Sequence, residues 1–247
     1  LLSLVAEHGH HTREVRRTGA RTGVQPKGAL CDVITGNDKS GSWECMKGDG
    51  TMATGSATTF VATGAPTNTT ENGHAVRTYT NAQNDQQPAD AAFPASDFSI
   101  CRHHRSTSNA VAQLMAFGTT GAAAGYVTLP WEVQGAGGNW VSYISNGTAG
   151  SSLASSYSLT TGTWYLLCMT YQRVGGAADN VVRTYVNGVQ TATHSTARLA
   201  QALSNKWSTN GYVGGSTGAA CSVRGVFITY KLLSATDIAR LYGRLAP

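Results

Sequence analysis

The stretch RTYVNGVQTATHST, Arg183 to Thr196, sets two runs of alternating apolar and polar residues on either side of Asn187-Gly188. Asn and Gly accept the positive φ that both central positions of a tight type I′ turn require, and Val182, Tyr185, Val186 and Val189 are residues that strands favour. A β-hairpin follows, and with it the question of which sheet it belongs to.

Working outward, strand candidates recur on both sides of the hairpin. Upstream lie Phe98 to His104, Val111 to Phe117, Tyr126 to Val133, Trp140 to Ser145 and Trp164 to Tyr171; downstream lie Gly211 to Gly214 and Val223 to Tyr230. Gly-rich or Ser/Thr-rich turns separate most of them, and regular spacing of this kind argues a two-sheet antiparallel sandwich. Shorter strands are expected earlier at Ser42 to Met46, Ala57 to Ala62 and His74 to Thr80, among turn signals such as Gly36-Asn37 and Glu71-Asn72-Gly73. One helix closes the chain. Ser234-Ala235-Thr236-Asp237 resembles a capping box, and Ile238, Leu241, Tyr242 and Leu245 form an apolar stripe that must lie on something. With 247 residues the chain can bury a sizeable core as a single all-β unit.

Four ordered motifs resemble one family. Trp164-Tyr165-Leu166-Leu167-Cys168-Met169-Thr170-Tyr171 comes first, and Thr184-Tyr185-Val186-Asn187-Gly188 follows. Next come Gly211-Tyr212-Val213-Gly214-Gly215, and then Phe227-Ile228-Thr229-Tyr230-Lys231-Leu232-Leu233-Ser234 before the helix. This order is similar to the laminin-G-like, concanavalin-A-like lectin and glucanase jelly rolls, and Phe98-Ser99-Ile100 looks like another of their strands. The resemblance covers about residues 98–246 and implies a jelly roll of two antiparallel sheets over residues 31–247, preceded by a tail at 1–30. Family members often place a Gly and then an acidic pair before the last strand. Here Cys221-Ser222-Val223-Arg224-Gly225-Val226 holds no carboxylate, so no calcium role tied to that pair carries over.

Charge is distributed unevenly. Residues 1–31 carry five Arg/Lys against two Glu, residues 32–97 three against eight acids, and residues 98–247 ten against three. The acidic middle and basic remainder are expected to face one another, within or between subunits, because neither an RNA-binding aromatic signature nor a helix-turn-helix accompanies the basic excess. Residues 1–30 hold little apolar content and would be disordered alone. Their arginines Arg13, Arg16, Arg17 and Arg21 are therefore read as an assembly arm that grips neighbouring subunits. No apolar run approaches the roughly 20 residues of a membrane helix, so no membrane insertion is expected. The chain begins at Leu rather than Met, which leaves open a processed product or a sequence given only in part.

Five cysteines leave at least one unpaired if all pairing is internal. Cys31 and Cys45 flank a polar loop and are placed to close a local disulfide; Cys101, Cys168 and Cys221 read as buried small hydrophobes, and the redox compartment stays open.

Hydrolysis on such a fold needs two carboxylates roughly 5–10 Å apart. After Phe98 only Glu132, Asp179 and Asp237 are acidic, and Asp237 starts the helix. No Gly-x-Ser-x-Gly elbow or phosphate loop occurs either, so no catalytic residue is assigned. Asp85, Asp90, Asp97 and Asp179, helped by Asn84 and Asn180, are the available calcium ligands, but their spacing matches no calcium loop and no cofactor is expected. His8, His10 and His11 lie in the tail, while His103 and His104, adjacent on a strand, point to opposite faces and cannot easily chelate.

Sugar recognition needs an apolar platform and a few polar partners. Trp131, Asn139 with Trp140, Asn205 with Trp207, and Tyr212 are the candidates, with packing in the sandwich as the competing reading for Trp140 and Tyr212. Trp164 is assigned to the core. The expectation is a non-catalytic jelly-roll surface protein, extracellular or on a virion. It would be a structural or adhesive subunit of a larger assembly, such as a phage head, tail or fibre decoration, with other protein subunits and glycans as partners and no nucleic acid. A secreted or cell-surface lectin or adhesin is the alternative, and a polysaccharide-cleaving enzyme a minor third.

Overall fold

A computed structural model describes residues 29–34, 45–46, 61–64, 66–72, 74–80, 83–87, 97–107, 115–117, 124–128, 139–146, 150–174, 180–196, 207–208, 210, 220–229 and 231–245. The first strands are β1 (Ala29–Ile34), β2 (Cys45–Met46), β3 (Val61–Thr63), β4 (Thr67–Glu71), β5 (His74–Tyr79) and β6 (Asn84–Gln87). Then come β7 (Phe98–Ser106), β8 (Ala116–Phe117), β9 (Ala124–Thr128), β10 (Asn139–Asn146) and β11 (Gly150–Ser158). The last are β12 (Trp164–Gln172), β13 (Asn180–Val186), β14 (Val189–Thr196), β15 (Trp207–Ser208) and β16 (Cys221–Thr229), before the helix α1 (Ala235–Leu245). The fold is all-β with one short C-terminal helix, as expected.

The strands form two sheets. One has nine strands, in the order β14-β13-β12-β7-β16-β1-β2, with β5 joined to β16 and β4 to β5 off that path; the other runs β11-β10-β9-β8-β15-β6-β3. Every pairing in the path around β7 is antiparallel.

Strand alternation explains why β7 and β12 sit at the centre. Their register sets Arg105 opposite Trp164, His103 opposite Leu166 and Cys101 opposite Cys168. Because successive side chains point to opposite faces, Phe98, Ile100, Arg102 and His104 share one face with Tyr165, Leu167, Met169 and Tyr171, and all are buried. A face buried along its whole length is what a sandwich requires. Phe98 stacks on Tyr171 there, ring centroids 5.0 Å apart. The other face carries α1: Ile238, Leu241 and Leu233 pack with Cys101, Leu166, Cys168 and Tyr185, and Tyr242 adds a half-buried edge. We call this second side the helix face.

The hairpin that opened the sequence reading joins β13 to β14. Asn187 and Gly188 have φ of 51° and 84° between the paired Val186 and Val189, which is the type I′ geometry. Asn187 also ties the turn to β12: its N–H donates to the Leu166 carbonyl and its Oδ1 accepts from the Leu166 N–H, each at 2.9 Å. Gly188 is needed for a second reason, since a Cβ there would stand 2.9 Å from Cα of Ala239 in α1.

The helix is anchored at its start as the sequence suggested. Ser234 Oγ accepts from the Asp237 N–H at 3.1 Å, and Asp237 Oδ2 accepts from the Ser234 N–H at 3.2 Å and from its hydroxyl at 2.7 Å. The aspartate fills the role that Glu usually has in a capping box. Hydrogen bonds to Ser234 hold its carboxyl below the usual carboxylate range, against a small upward push from burial, with the Arg240 charge assisting. Ser99 of β7 fixes the connection before it, accepting from the Leu233 N–H at 2.9 Å and donating to the Lys231 carbonyl at 2.7 Å.

Several expectations need correction. Cys101 and Cys168 are buried as foreseen, but they are bonded to each other across the β7–β12 pair rather than being two separate small hydrophobes; Cys221 is buried and free. Strands β1, β4, β6, β11 and β15 were not foreseen: TNTTE, for example, is polar and exposed, and GSSLASSYS reads as a turn-rich stretch. β1 starts at Ala29, two residues inside the segment taken as the tail. The expected strand Gly211 to Gly214 and the arginines of the assembly arm lie outside the described residues.

Candidate ligand-binding surface

Beyond the reach of α1, the helix face changes character. Trp164, the first residue of β12, lies opposite Arg105 of β7, and Arg105 lies opposite Ser222 of β16. Past Ser222 the ladder slips, with Val223 paired to His104 and Gly225 to His103, which leaves Arg224 as an extra residue. Such a bulge re-aims a side chain. Here Arg224 comes over the Trp164 ring, its guanidinium carbon 4.2 Å from the centroid, while that of Arg105 stands at 4.7 Å. His103 meets the same ring at 5.0 Å, tilted.

One carboxylate gathers the cluster. Glu71 ends β4 at the tip of the β4–β5 hairpin, where Asn72 takes a φ of 52° and Glu71 pairs with His74. This turn was signalled by Glu71-Asn72-Gly73. Its Oε1 accepts from Arg105 Nη1 at 2.8 Å and from Trp164 Nε1 at 3.1 Å, and Arg224 Nη2 lies 3.6 Å away. Arg105 Nη2 also reaches Ser222 Oγ at 3.5 Å, and Ser222 Oγ is 3.2 Å from Thr78 Oγ1. Partial burial pushes the Glu71 carboxyl up. The Trp164 hydrogen bond, the charge and hydrogen bond of Arg105 and the charge of Arg224 outweigh it, so the group sits below the ordinary carboxylate range. Burial lowers the Arg224 guanidinium and Glu71 counters it. An acid from the 32–97 segment thus meets two bases from 98–247, as the charge distribution predicted.

Exposure separates the members. The Arg224 side chain is 2% exposed, whereas those of Arg105 and Glu71 are 24% and 32% exposed and Trp164 is half-buried. Trp164 therefore does not belong to the core to which the sequence reading assigned it. Its place on a β12 face that α1 leaves uncovered keeps part of the indole at the surface.

A second polar cluster is internal. Arg102, fully buried on the opposite face, donates from Nη2 to Cys221 Sγ at 3.2 Å; Cys221 lies 3.7 Å from Asn210 Oδ1, and Asn210 donates to the Gln83 carbonyl at 2.8 Å. Burial, then the Arg102 charge, then His103 push His104 well below its usual range, so it is neutral, and burial pushes the Cys221 thiol up. Being enclosed, this cluster offers nothing to a ligand from solution.

The residues proposed from sequence fare differently. Trp140 is fully buried in β10, so its ring presents no platform; packing, the competing reading, describes it. Trp207 is in β15, paired on both sides, and Asn139 opens β10, but the side chains of both lie outside the described ones. Trp131, Asn205 and Tyr212 lie outside the described residues altogether. Cys31 and Cys45 fall on the neighbouring strands β1 and β2, where Cys45 pairs with Val33; their side chains are outside the described ones. Of the calcium candidates, Asp97 accepts from the Arg173 N–H at 2.7 Å and Asn180 is buried at the start of β13. Asn84 and Asp85 lie in β6 with side chains outside the described ones, and Asp90 and Asp179 lie outside the described residues. Among the described residues no three His, Cys, Asp or Glu side chains are grouped to hold a metal, and no helix is long and apolar enough to cross a membrane. His103 and His104 do point to opposite faces.

Sequence reasoning missed Glu71, Arg105 and Arg224. The available signal was the Arg102-His103-His104-Arg105 run inside an otherwise apolar strand, with a second Arg before Gly225 in its neighbour.

Comparison with known proteins places this geometry in a family. Several solved structures share the fold. The binding domain of botulinum neurotoxin serotype G matches with a TM-score of 0.62 at 14% identity, over 87% of this chain and 50% of that one. The botulinum neurotoxin serotype D ligand binding domain, in complex with N-acetylneuraminic acid, matches at 0.60 and 12%, over 88% and 51%. Domain 4 of an extracellular arabinanase from Geobacillus stearothermophilus, in complex with arabinotriose, matches at 0.56 and 11%, over 77% and 91%. The chain thus spans about half the length of the toxin domains, and at these identities the likeness is one of fold. No curated protein sequence matches the chain. Residues 79–239, more than half of the chain, match the laminin-G-type profile described as the concanavalin A-like lectin/glucanases superfamily, and to that superfamily the chain belongs.

Proposed function

We propose that this protein is a non-catalytic jelly-roll module that works by surface contact with carbohydrate, outside the cell or on a virion surface. The observation that carries the reading is membership of the lectin/glucanase superfamily; among solved neighbours of this fold, one domain matched over 91% of its length is in complex with arabinotriose, and a ligand binding domain matched over 51% of its length is in complex with N-acetylneuraminic acid. Absence of catalysis is part of the proposal. It is supported by the separate employment of the acids whose side chains are described, since Glu71 is gathered by two arginines, Asp97 holds a backbone N–H and Asp237 caps the helix. The Cys101–Cys168 disulfide supports an oxidising location. A role as a subunit of a larger assembly, phage decoration included, is carried by the basic charge of residues 1–31 alone.

A glycan array probed with the full chain tests the reading. Binding to a defined set of glycans, without release of reducing sugar from any polysaccharide, is the expected result. A blank array overturns it, and reducing-sugar release replaces it with hydrolysis. Light scattering on the full chain, and on one lacking residues 1–28, tests the assembly role: loss of oligomers on truncation is expected, and a monomer in both removes that part.

A further inference from the structure

We infer that the Trp164–Arg105–Arg224–Glu71 cluster on the uncovered end of the helix face is the saccharide-contact site, and that it selects sugars bearing an anionic group, carboxylate or sulfate. The inference rests on the carbohydrate-binding reading above and deepens it by naming the site and the ligand class.

Three features carry it. First, the cluster combines a half-buried indole with part-exposed polar groups, which is the composition that sugar recognition uses: an apolar face for C–H groups and oriented donors and acceptors at its edge. Second, among the described residues Glu71 is held by one oxygen. Oε1 takes the contacts from Arg105, Trp164 and Arg224, and among the described residues no group bonds Oε2. A carboxylate fixed at one oxygen presents the other, already oriented, to a sugar hydroxyl. Third, two guanidiniums, of Arg105 and Arg224, reach the Glu71 carboxylate, and among the described residues Arg105 meets no second carboxylate. Arg224 is buried, its guanidinium 4.2 Å from the ring centroid, whereas Arg105 is part-exposed, and among the described residues its Nη2 makes only a 3.5 Å contact to Ser222. Arg105 is thus the group that can turn its fork to a carboxylate or sulfate of the ligand.

Rigidity favours the site as well. Trp164, Arg105, Ser222 and Arg224 all stand on three adjacent strands of the nine-stranded sheet, and Glu71 reaches them from a tight hairpin, so little ordering is left for the ligand to impose.

Isothermal titration calorimetry of the full chain with sialyllactose, sulfated lactose and plain lactose tests the assignment. At least one anionic sugar should bind about tenfold or more tightly than lactose, and Trp164→Ala should weaken it by about tenfold or more. Arg105→Lys keeps the charge but loses the planar fork, and Arg105→Gln loses both; the first should reduce the preference for the anionic sugar and the second abolish it. These two variants decide the matter if Trp164→Ala does not fold. Equal affinity for lactose and the anionic sugars, or unchanged affinity in the Arg105 variants, overturns the inference while leaving carbohydrate binding intact. A chain that binds no sugar in calorimetry or on the array overturns both.

Discussion

The two ends of the helix face are built on the same strands and solve opposite problems. At one end, Cys101, Leu166, Cys168 and Tyr185 are covered by Ile238 and Leu241 of α1, and a disulfide joins the central pair of strands. At the other, a few residues along the same β7 and β12, Arg105 and Trp164 are met by Glu71 at the tip of the β4–β5 hairpin. The covered end gains stability from apolar area and a covalent bond. The uncovered end is held by ion pairs and cation–π contacts, which contribute modestly in water and leave polar groups available. One sheet face thus separates a structural half from a half suited to contact.

Removing the disulfide should produce the largest effect and fall on the structural half. The Cys101–Cys168 bond closes a separation of 67 residues, and the chain-entropy argument assigns a loop of that size about 4 kcal/mol. Cys101→Ser/Cys168→Ser should lose roughly 2–5 kcal/mol in urea unfolding. A loss well under 1 kcal/mol would show that α1 alone secures this half.

How far the sequence disclosed these two halves follows from which signals each uses. The helix stripe, the capping serine and the Asn187-Gly188 turn are local, fixed by residues within a few positions, and the structure places each as read. The disulfide depends on register between strands far apart in sequence, which single-strand alternation does not specify. Trp164 was misplaced for the same reason. Its strand reads as apolar, but whether its face is covered depends on how far α1 extends over it. The cluster around it draws on β4, β7, β12 and β16, and its defining device, the bulge at Arg224, appears only when β16 is aligned against β7. Among the carbohydrate candidates, Trp140 took the competing reading: a Trp beside a Gly-rich loop is compatible with either exposure or packing, and its strand turns it inward.

The next effect joins the hairpin to the helix. Gly188→Ala adds a Cβ 2.9 Å from Ala239 Cα at a φ of 84°, so either α1 moves off the turn or the turn gives way. A loss of about 2 kcal/mol is expected, combining steric displacement with the strain of a left-handed non-Gly residue. An unchanged melting curve would mean that the helix end tolerates displacement and that the covered half is looser than its packing implies.

A smaller loss should follow removal of the cap. Ser234→Ala deletes the oxygen that receives the Asp237 N–H and should cost about 1 kcal/mol. Protection of the α1 amides from hydrogen exchange should fall while that of β7 at Arg105 does not. Equal loss at both sites would show that the halves unfold as one and that the division drawn above is geometric only.

The smallest effect belongs to Glu71, and pH reveals it. Its folded carboxyl is held below the ordinary value of 4.5, so its contribution is fully present above that value and is lost as pH falls through the lower, folded one. Glu71 is part-exposed and solvent screens its partners, which keeps the contribution under about 1 kcal/mol. Asp237 is shifted in the same direction, so raw acid destabilisation mixes the two halves. The difference in unfolding free energy between the wild type and Glu71→Gln removes the helix contribution. It should be constant from neutral pH down to about 5 and then shrink toward a smaller constant value once Glu71 is protonated. A difference that grows on acidification would mean that the two arginines gain more from losing this carboxylate than they gain from holding it. The hairpin would then be strained onto the sheet rather than anchored to it.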